Sequence, residues 1–391
     1  MNEVRIGVIG VGNMGSAHSK NILDGKVPGM KLAAVADIAP QKLEWAEKNL
    51  PGVPRFATAD ELIESGLCDA IIVATPHYFH PTIAIKGFEA GLHVLTEKPA
   101  GVYTSAVRKM NEAAKKSGKV FGIMYNQRTN PQFAKMREIV RSGELGEPKR
   151  LVWIITNWYR TQAYYDSGSW RATWAGEGGG VLLNQAPHQL DLWQWIFGMP
   201  KRVWAKCKYA QWHNVEIEDD VTAYAEYENG ASATFITTTG EYPGTNRLEI
   251  CGDRAKLVWE GGKLKMWKLD QPEREVCFTS TQGFATPPVQ ELEPDCPGTE
   301  TAHVGILTNF ADAILNGAEL LAPGYDGING LTLSNAMHLS DWTGKMIELP
   351  LDEELFEKLL AEHRATSKLK TGSDGAPEDI RGTYNDRWNV R

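Results

Sequence analysis

Cysteine is scarce. The 391-residue chain has five, Cys68, Cys207, Cys251, Cys277 and Cys296, an odd number with no CxxC pair. That usage argues against a disulfide framework and against structural zinc, and no metal site is expected. Long apolar runs are missing as well. Stretches such as Asp69–Thr75 are too short to span a bilayer, so no membrane partner is expected. A basic balance is also missing. The 41 Lys and Arg against 49 Asp and Glu leave a net charge of -8, which offers no basic face to nucleic acid. The opening Met-Asn-Glu-Val-Arg-Ile lacks the pattern of a secretory leader, and the chain is read as cytoplasmic. What remains is an ordinary globular mix, 42% hydrophobic and 23% charged, of a length that suggests two domains.

The hydrophobic pattern divides the chain. Strand-like Val4–Ile9 is followed by helix-like Asn13–Leu23, then strand Lys31–Ala36 and a helix opening at Pro40. Strand Ala70–Thr75, helix Pro81–Ala90, strand His93–Thr96, helix Ser105–Ser117 and strand Lys119–Tyr125 continue the alternation. This predicts a parallel sheet covered by helices in residues 1–125. A helix over Pro131–Ser142 and a longer strand over Arg150–Trp158 then change the grammar. Strands Arg202–Tyr209, Asp220–Tyr227, Ala231–Thr239, Arg247–Ile250 and Ala255–Trp259 follow, with Glu228-Asn229-Gly230 as a hairpin turn. Helices are read at Gln185–Phe197, His303–Leu315 and Leu331–Ile347. The fold class is therefore α/β: a parallel-sheet domain over residues 1–125, then an α+β domain over residues 126–366 with a large, mostly antiparallel open sheet. Residues 367–391 are polar and weakly patterned, a flexible end or an arm packed on a neighbour.

Gly10, Gly12 and Gly15 form GxGxxG between a strand and a helix. The first glycine permits a tight turn, the second lets the backbone approach a pyrophosphate, and the third lets helix pack on strand. The helix start that carries Asn13 and Met14 offers N–H donors to phosphate. Asp37 ends the second strand, where a carboxylate accepts from ribose hydroxyls and repels a 2′-phosphate. No arginine follows it, which favours NAD over NADP. Thr75-Pro76 and Glu97-Lys98-Pro99 end two further strands, at the edge where an open α/β sheet binds its ligand.

Lys98 at such a tip is either a surface lysine or a proton shuttle whose pKa falls on burial. Asn184 and His188 are four apart, so on a helix they share a face, and Pro187 puts them at a helix start. They are either a cap and a core histidine or a pair that holds and deprotonates hydroxyls. Trp170 and Arg171 lie in an aromatic segment that either stacks on sugar rings or packs an interface. Tyr125, Asn126 and Arg128 follow the last strand of the first unit, Tyr125 and Arg128 as second-rank substrate contacts and Asn126 also beside the cofactor. His303 opens a helix and either reaches the site or caps it.

In this order, the fingerprint, Ala74-Thr75-Pro76 with His80, Glu97-Lys98-Pro99, Trp170-Arg171, the glycine-rich loop with His188, and Glu218-Asp219-Asp220 resemble the Gfo/Idh/MocA family of sugar and cyclitol dehydrogenases. The resemblance covers nearly the whole chain. It implies a Rossmann domain, a second domain whose sheet supports homodimers or homotetramers, and proton transfer with substrate binding by Lys98 and His188. It also implies that His77, His80, Glu97 and Asn126 line the cofactor. Many members carry Asp where this chain has Asn184, so Asn184 binds hydroxyls and proton transfer falls to Lys98 or His188. Many carry Asn where this chain has His77, which either touches the nicotinamide ribose or lines the cleft. The expected activity is hydride transfer between NAD and a secondary hydroxyl of a sugar, glycoside (at its 3-hydroxyl, for instance) or cyclitol. Two other readings stand beside it: glycoside cleavage by transient oxidation and elimination, and a non-catalytic NAD or sugar sensor.

Overall fold

The computed structural model describes residues 2–368, so the expected tail lies outside the described residues beyond Lys368. The chain begins with β1 (Val4–Ile9), α1 (Asn13–Leu23), β2 (Met30–Ala36), α2 (Pro40–Asn49), β3 (Arg55–Phe56) and α3 (Ala59–Glu64). It continues with β4 (Ala70–Val73), α4 (Phe79–Glu89), β5 (His93–Thr96), α5 (Thr104–Ser117) and β6 (Phe121–Ile123). These strands form one parallel sheet in the order β3-β2-β1-β4-β5-β6. Helices cover both faces of such a sheet, so its strands read as apolar runs: all four residues of β4 are buried, and five of six in β1. The order reverses between β1 and β4, which opens a crevice at their carboxyl ends. Gly10 and Thr75 stand at that crevice.

A 3-10 turn over Asn126–Thr129 leads into α6 (Pro131–Arg141), which Pro131 starts and the Asn130 side chain caps by accepting from Gln132 N at 2.9 Å. Then come β7 (Pro148–Ile155), α7 (Gln162–Asp166), α8 (Pro187–Phe197), β8 (Arg202–Tyr209), β9 (Glu218–Glu226) and β10 (Ser232–Thr238). The chain goes on through β11 (Asn246–Gly252), β12 (Ala255–Glu260), β13 (Lys263–Leu269), α9 (Glu273–Thr279) and β14 (Val289–Leu292). It ends with α10 (Ala302–Asn316), α11 (Gly327–Thr343), β15 (Ile347–Glu348) and α12 (Glu353–Thr366). Nine strands form the second sheet, ordered β14-β13-β12-β11-β7-β10-β9-β8-β15. Its pairs are antiparallel except β7 with β10. β8 alternates buried and open residues, the mark of a sheet with one covered face. On that face, Phe235 sits between the rings of Trp153 and Trp193, 6.5 and 5.8 Å away, so α8 is locked onto the sheet.

The chain then returns to the first unit. Ile306, Leu307 and Phe310 of α10 and Phe356 and Leu360 of α12 belong to the core built around the parallel sheet.

Three expectations change. The helix with Asn184 starts only at Pro187, with Ala186 as its N-cap, so Asn184 lies in the preceding turn and not on the helix face shared with His188. The strand read over Lys119–Tyr125 shrinks to three residues. Also, β3, α3, α7, β13, α9, β14, β15 and α12 went unread. Several are too short for periodicity, and β14 is an exposed edge strand with no buried face to show it. Strand β13, which buries Leu264 and Met266 between lysines, carries an alternation that was there to read.

Truncating Phe235 to Ala removes a fully buried ring from between two tryptophans. It is expected to cost about 3–5 kcal/mol of unfolding free energy, read as a lower midpoint in chemical denaturation.

Candidate active site

The glycine turn has the shape a dinucleotide needs. Gly10 has φ +93°, and a Cβ there would lie 2.5 Å from the Ala74 carbonyl oxygen. A Cβ on Gly15 would lie 1.8 Å from the Gly10 oxygen, whereas one on Gly12 would meet nothing within 4 Å. The turn is thus closed toward the protein and open at Gly12, the N-cap of α1. Asp37 lies over it. Its Oδ2 accepts from Val11 N at 2.7 Å and its Oδ1 from Ala39 N at 2.9 Å, and each oxygen keeps a lone pair for a second donor. At the neighbouring strand tips, Thr75 Oγ1 and Asn126 Oδ1 are buried without a hydrogen-bond partner. Orphaned polar atoms of this kind call for a ligand. These residues fit a dinucleotide.

Glu97 turns inward. His18 Nε2, on the buried face of α1, bonds its Oε1 at 2.6 Å, and Lys98 N donates to its Oε2 at 3.1 Å. Burial works to raise the Glu97 carboxyl, but the His18 hydrogen bond and neighbouring cations outweigh it and hold the pKa below the usual value. Glu97 therefore buttresses the strand tip from the α1 side. His80 does the same from α4, with Nδ1 2.8 Å from the Pro99 carbonyl oxygen and Nε2 2.7 Å from that of Thr75.

Lys98 itself points across to the second unit and donates from Nζ to the Asn184 carbonyl at 2.7 Å. Burial pushes its ammonium down to about 8, with Glu97 pulling the other way. Asn184 presents its backbone oxygen to Lys98 while its side chain donates to Glu177 Oε1. Glu177 is 1% exposed, and burial pushes its carboxyl up. Its Oε2 accepts from Ala172 N at 2.7 Å, and its carbonyl accepts from His77 Nδ1 at 3.1 Å. The loop that carries Glu177 is itself pinned. Glu218, fully buried, accepts from Gly180 N at 2.8 Å and Leu182 N at 3.0 Å.

Arg171 lies 4.8 Å from the Tyr164 ring centroid, 4.7 Å from that of Trp170, and donates to the Tyr164 hydroxyl at 2.9 Å. Tyr164 in turn reaches Asn184 Oδ1 at 3.4 Å, and Trp170 meets His77 edge-on at 5.4 Å. His188, second in α8, is buried with its ring 6.3 Å from Tyr125. Burial first, then the charge of Lys98, hold it well below the usual histidine range. The buried groups His188 and His77 are thus neutral at physiological pH.

Lys98, Asn184, Arg171, Trp170 and His77 are thus joined by contacts, and Tyr125 with His188 forms a second linked pair. Arg128 lies over the Tyr125 ring, 5.5 Å from its centroid, but its hydrogen bonds go elsewhere. Its Nε and Nη2 bind both oxygens of Asp191 at 2.8 and 2.6 Å, and Nη1 binds Asp326 at 2.8 Å. Four of its five N–H donors are spent within the protein, counting Leu321 O at 3.2 Å, so the expected substrate contact is corrected to a buried ion pair. Nor does His303 cap α10. Its buried ring lies 5.8 Å from His18, and burial pushes its pKa down to about 3. Sequence reasoning missed Glu177, although a lone carboxylate inside a glycine run, Gly176-Glu177-Gly178, was a visible signal. It also missed His18, one helical turn beyond Gly15.

Comparison with known proteins gives the family. Residues 4–125 match the model of the oxidoreductase family NAD-binding Rossmann fold, and residues 133–258 match the GFO/IDH/MocA C-terminal domain. The chain belongs to the GFO/IDH/MocA family, and its first unit is an NAD-binding Rossmann domain. The rhizopine catabolism protein MocA of Rhizobium meliloti is 30% identical over 199 residues, 51% of this chain and 58% of MocA. The scyllo-inositol 2-dehydrogenase (NAD(+)) of Bacillus subtilis (strain 168) is 23% identical over 357 residues, 89% of this chain and 97% of the relative. The crystal structure of the WlbA dehydrogenase from Bordetella pertussis, in complex with NADH and UDP-GlcNAcA, is 25% identical with a TM-score of 0.76. That match covers 90% of this chain and all of WlbA. No helix among the described residues is long and apolar enough to cross a membrane.

Replacing Arg128 with Met leaves Asp191 buried, 1% exposed, without its cation. Breaking a buried pair in this way is expected to cost about 3–5 kcal/mol, measured by denaturant unfolding. A cost below about 1 kcal/mol would mean that the pair is not needed.

Proposed function

We propose that this protein oxidises a secondary hydroxyl of a sugar, glycoside or cyclitol with NAD, and that Lys98 takes the hydroxyl proton. The observation that carries this reading is the lysine: half-buried at a strand tip, aimed across the cleft at Asn184, with its pKa lowered to about 8. An ordinary lysine near 10.5 is a poor base at neutral pH. NAD, when bound, accepts the hydride from the carbinol carbon. Gly10, Gly12, Asn13, Met14 and Gly15 hold its pyrophosphate, Asp37 its ribose, and Thr75, Pro76, His77, His80, Glu97 and Asn126 line the nicotinamide end. Asn184, locked by Glu177 and Tyr164, fixes a neighbouring hydroxyl, and Arg171 with Trp170 supplies a donor and a ring face. His188, held neutral, accepts a hydrogen bond from the substrate hydroxyl. The scyllo-inositol 2-dehydrogenase activity of the Bacillus subtilis relative supports the class of substrate. Oligomers built through the open second sheet belong to the same proposal.

One observation favours a second outcome at the same site. With His188 neutral as a hydrogen-bond acceptor, Lys98 can remove the hydroxyl proton and, once that proton has passed to solvent, a C–H proton next to the new ketone. A glycoside oxidised there could then be cleaved and reduced back. Stoichiometric NADH excludes this outcome; cleavage with unconsumed NAD establishes it.

Lys98→Met is expected to lower turnover about 10²–10⁴-fold while NADH still binds. The pH profile follows from the lysine. Below pH about 8 Lys98 is protonated and cannot take a proton, so kcat/KM for oxidation should rise toward a plateau above that pH. The histidines titrate far lower and leave that limb untouched. A flat profile across this range in the wild-type enzyme, or wild-type turnover in Lys98→Met, would sink the assignment.

A further inference from the structure

A cavity of about 380 Å³ lies between the 3-10 turn, the start of α6 and the covered face of the second sheet. Two of its lining residues tie it to the site: Gln127 follows Asn126, and Gln189 follows His188. Gln189 Nε2 donates to Gln127 Oε1 at 3.1 Å. That bond leaves Gln127 Nε2 and Gln189 Oε1 without a partner, on side chains only 5% and 1% exposed. One spare donor and one spare acceptor, side by side, complement a hydroxyl group, which both donates and accepts.

Phe133 and Trp259 form one wall, their centroids 4.9 Å apart. Trp259 is fixed there, because its Nε1 donates to Gln132 Oε1 at 2.6 Å. Such a wall stacks on the C–H face of a pyranose or cyclitol ring. The charge of the lining decides between sugars. Among the described residues that line it there is no lysine or arginine, and the one charged side chain is the carboxylate of Glu300. A phosphate or uronate would enter without a cation to meet it and with a like charge nearby. The volume falls within the range of small-ligand sites, and the walls combine rings with a few polar groups.

We propose that this cavity is a subsite for a neutral glycosyl or polyol unit, held by the Gln127–Gln189 amides against the Trp259 ring. The proposal rests on the dehydrogenase reading and refines its substrate to uncharged carbohydrates. The WlbA structure, by contrast, was solved with a nucleotide sugar acid.

The test is isothermal titration calorimetry on the full chain loaded with NADH. The probes are the methyl glycosides of glucose, galactose and mannose, cellobiose and myo-inositol, set against glucuronate and galacturonate. At least one neutral probe is expected to bind, and the acids not. Trp259→Leu and Gln127→Met should each weaken that binding roughly tenfold with NADH affinity close to wild type; Trp259→Leu, which truncates a ring packed on Phe133, should also lower the melting temperature. Gln127→Met keeps the side-chain volume, so it separates lost recognition from lost packing. Binding of the acids as tight as that of the neutral probes, equal binding in both variants, or no binding of any neutral probe would each overturn the proposal. Because this readout needs no turnover, a failure of hydride transfer would leave it intact. Conversely, loss of this subsite should raise the KM for a neutral substrate while kcat stays close to wild type, which separates it from a failure of hydride transfer.

Discussion

The hydrogen bond from Lys98 Nζ to the Asn184 carbonyl joins the two halves of the molecule, at 2.7 Å. One partner ends a strand of the parallel sheet; the other lies in the turn before the helix packed on the second sheet. Most of the local structure serves to hold these two points. Glu97 and His80 fix the strand tip from α1 and α4, and Glu218 and Glu177 fix the turn. The Arg128–Asp191 pair, which looked like a substrate contact, bolts the 3-10 turn to α8 and so sets Tyr125 against His188.

That arrangement has an electrostatic consequence. Several basic groups crowd into one dry region, and burial is the first cause of the lowered pKa of Lys98, His77, His188 and His303. A buried cation with too few carboxylates gives up its proton. Glu97 remains anionic because the His18 hydrogen bond outweighs burial, whereas burial pushes Glu177 up against the opposing pull of Arg171 and the amide donors of Asn184 and Ala172. The region therefore carries neutral histidines, and Lys98 becomes free to accept a proton as the pH rises through about 8. That is the requirement for oxidising an alcohol, and it needs no residue of unusual chemistry.

Much of this was legible in the sequence. The βαβ alternation and the glycine fingerprint read correctly because a parallel sheet is apolar throughout and its turns need particular residues: Gly10 has no room for a Cβ and a φ that favours glycine. Lys98 and His188 were visible as short motifs in a fixed order. What stayed hidden was orientation. Asn184 has the spacing of a helix face, yet Pro187 starts the helix after it, so its backbone rather than its side chain meets Lys98. Arg128 stood beside Tyr125 and Asn126 in sequence, but its partner Asp191 is 63 residues away. A sequence shows which charges exist; only the fold shows which ones are already paired.

The central claim is that a hydride leaves a carbinol carbon for bound NAD. Oxidising a neutral sugar or cyclitol deuterated at its carbinol carbons, then recovering the nicotinamide for mass spectrometry, tests it most directly. The account predicts one deuterium carried to the reduced cofactor in the wild-type enzyme, with slower transfer than from the protiated compound. Product formed with no deuterium in the nicotinamide would contradict it.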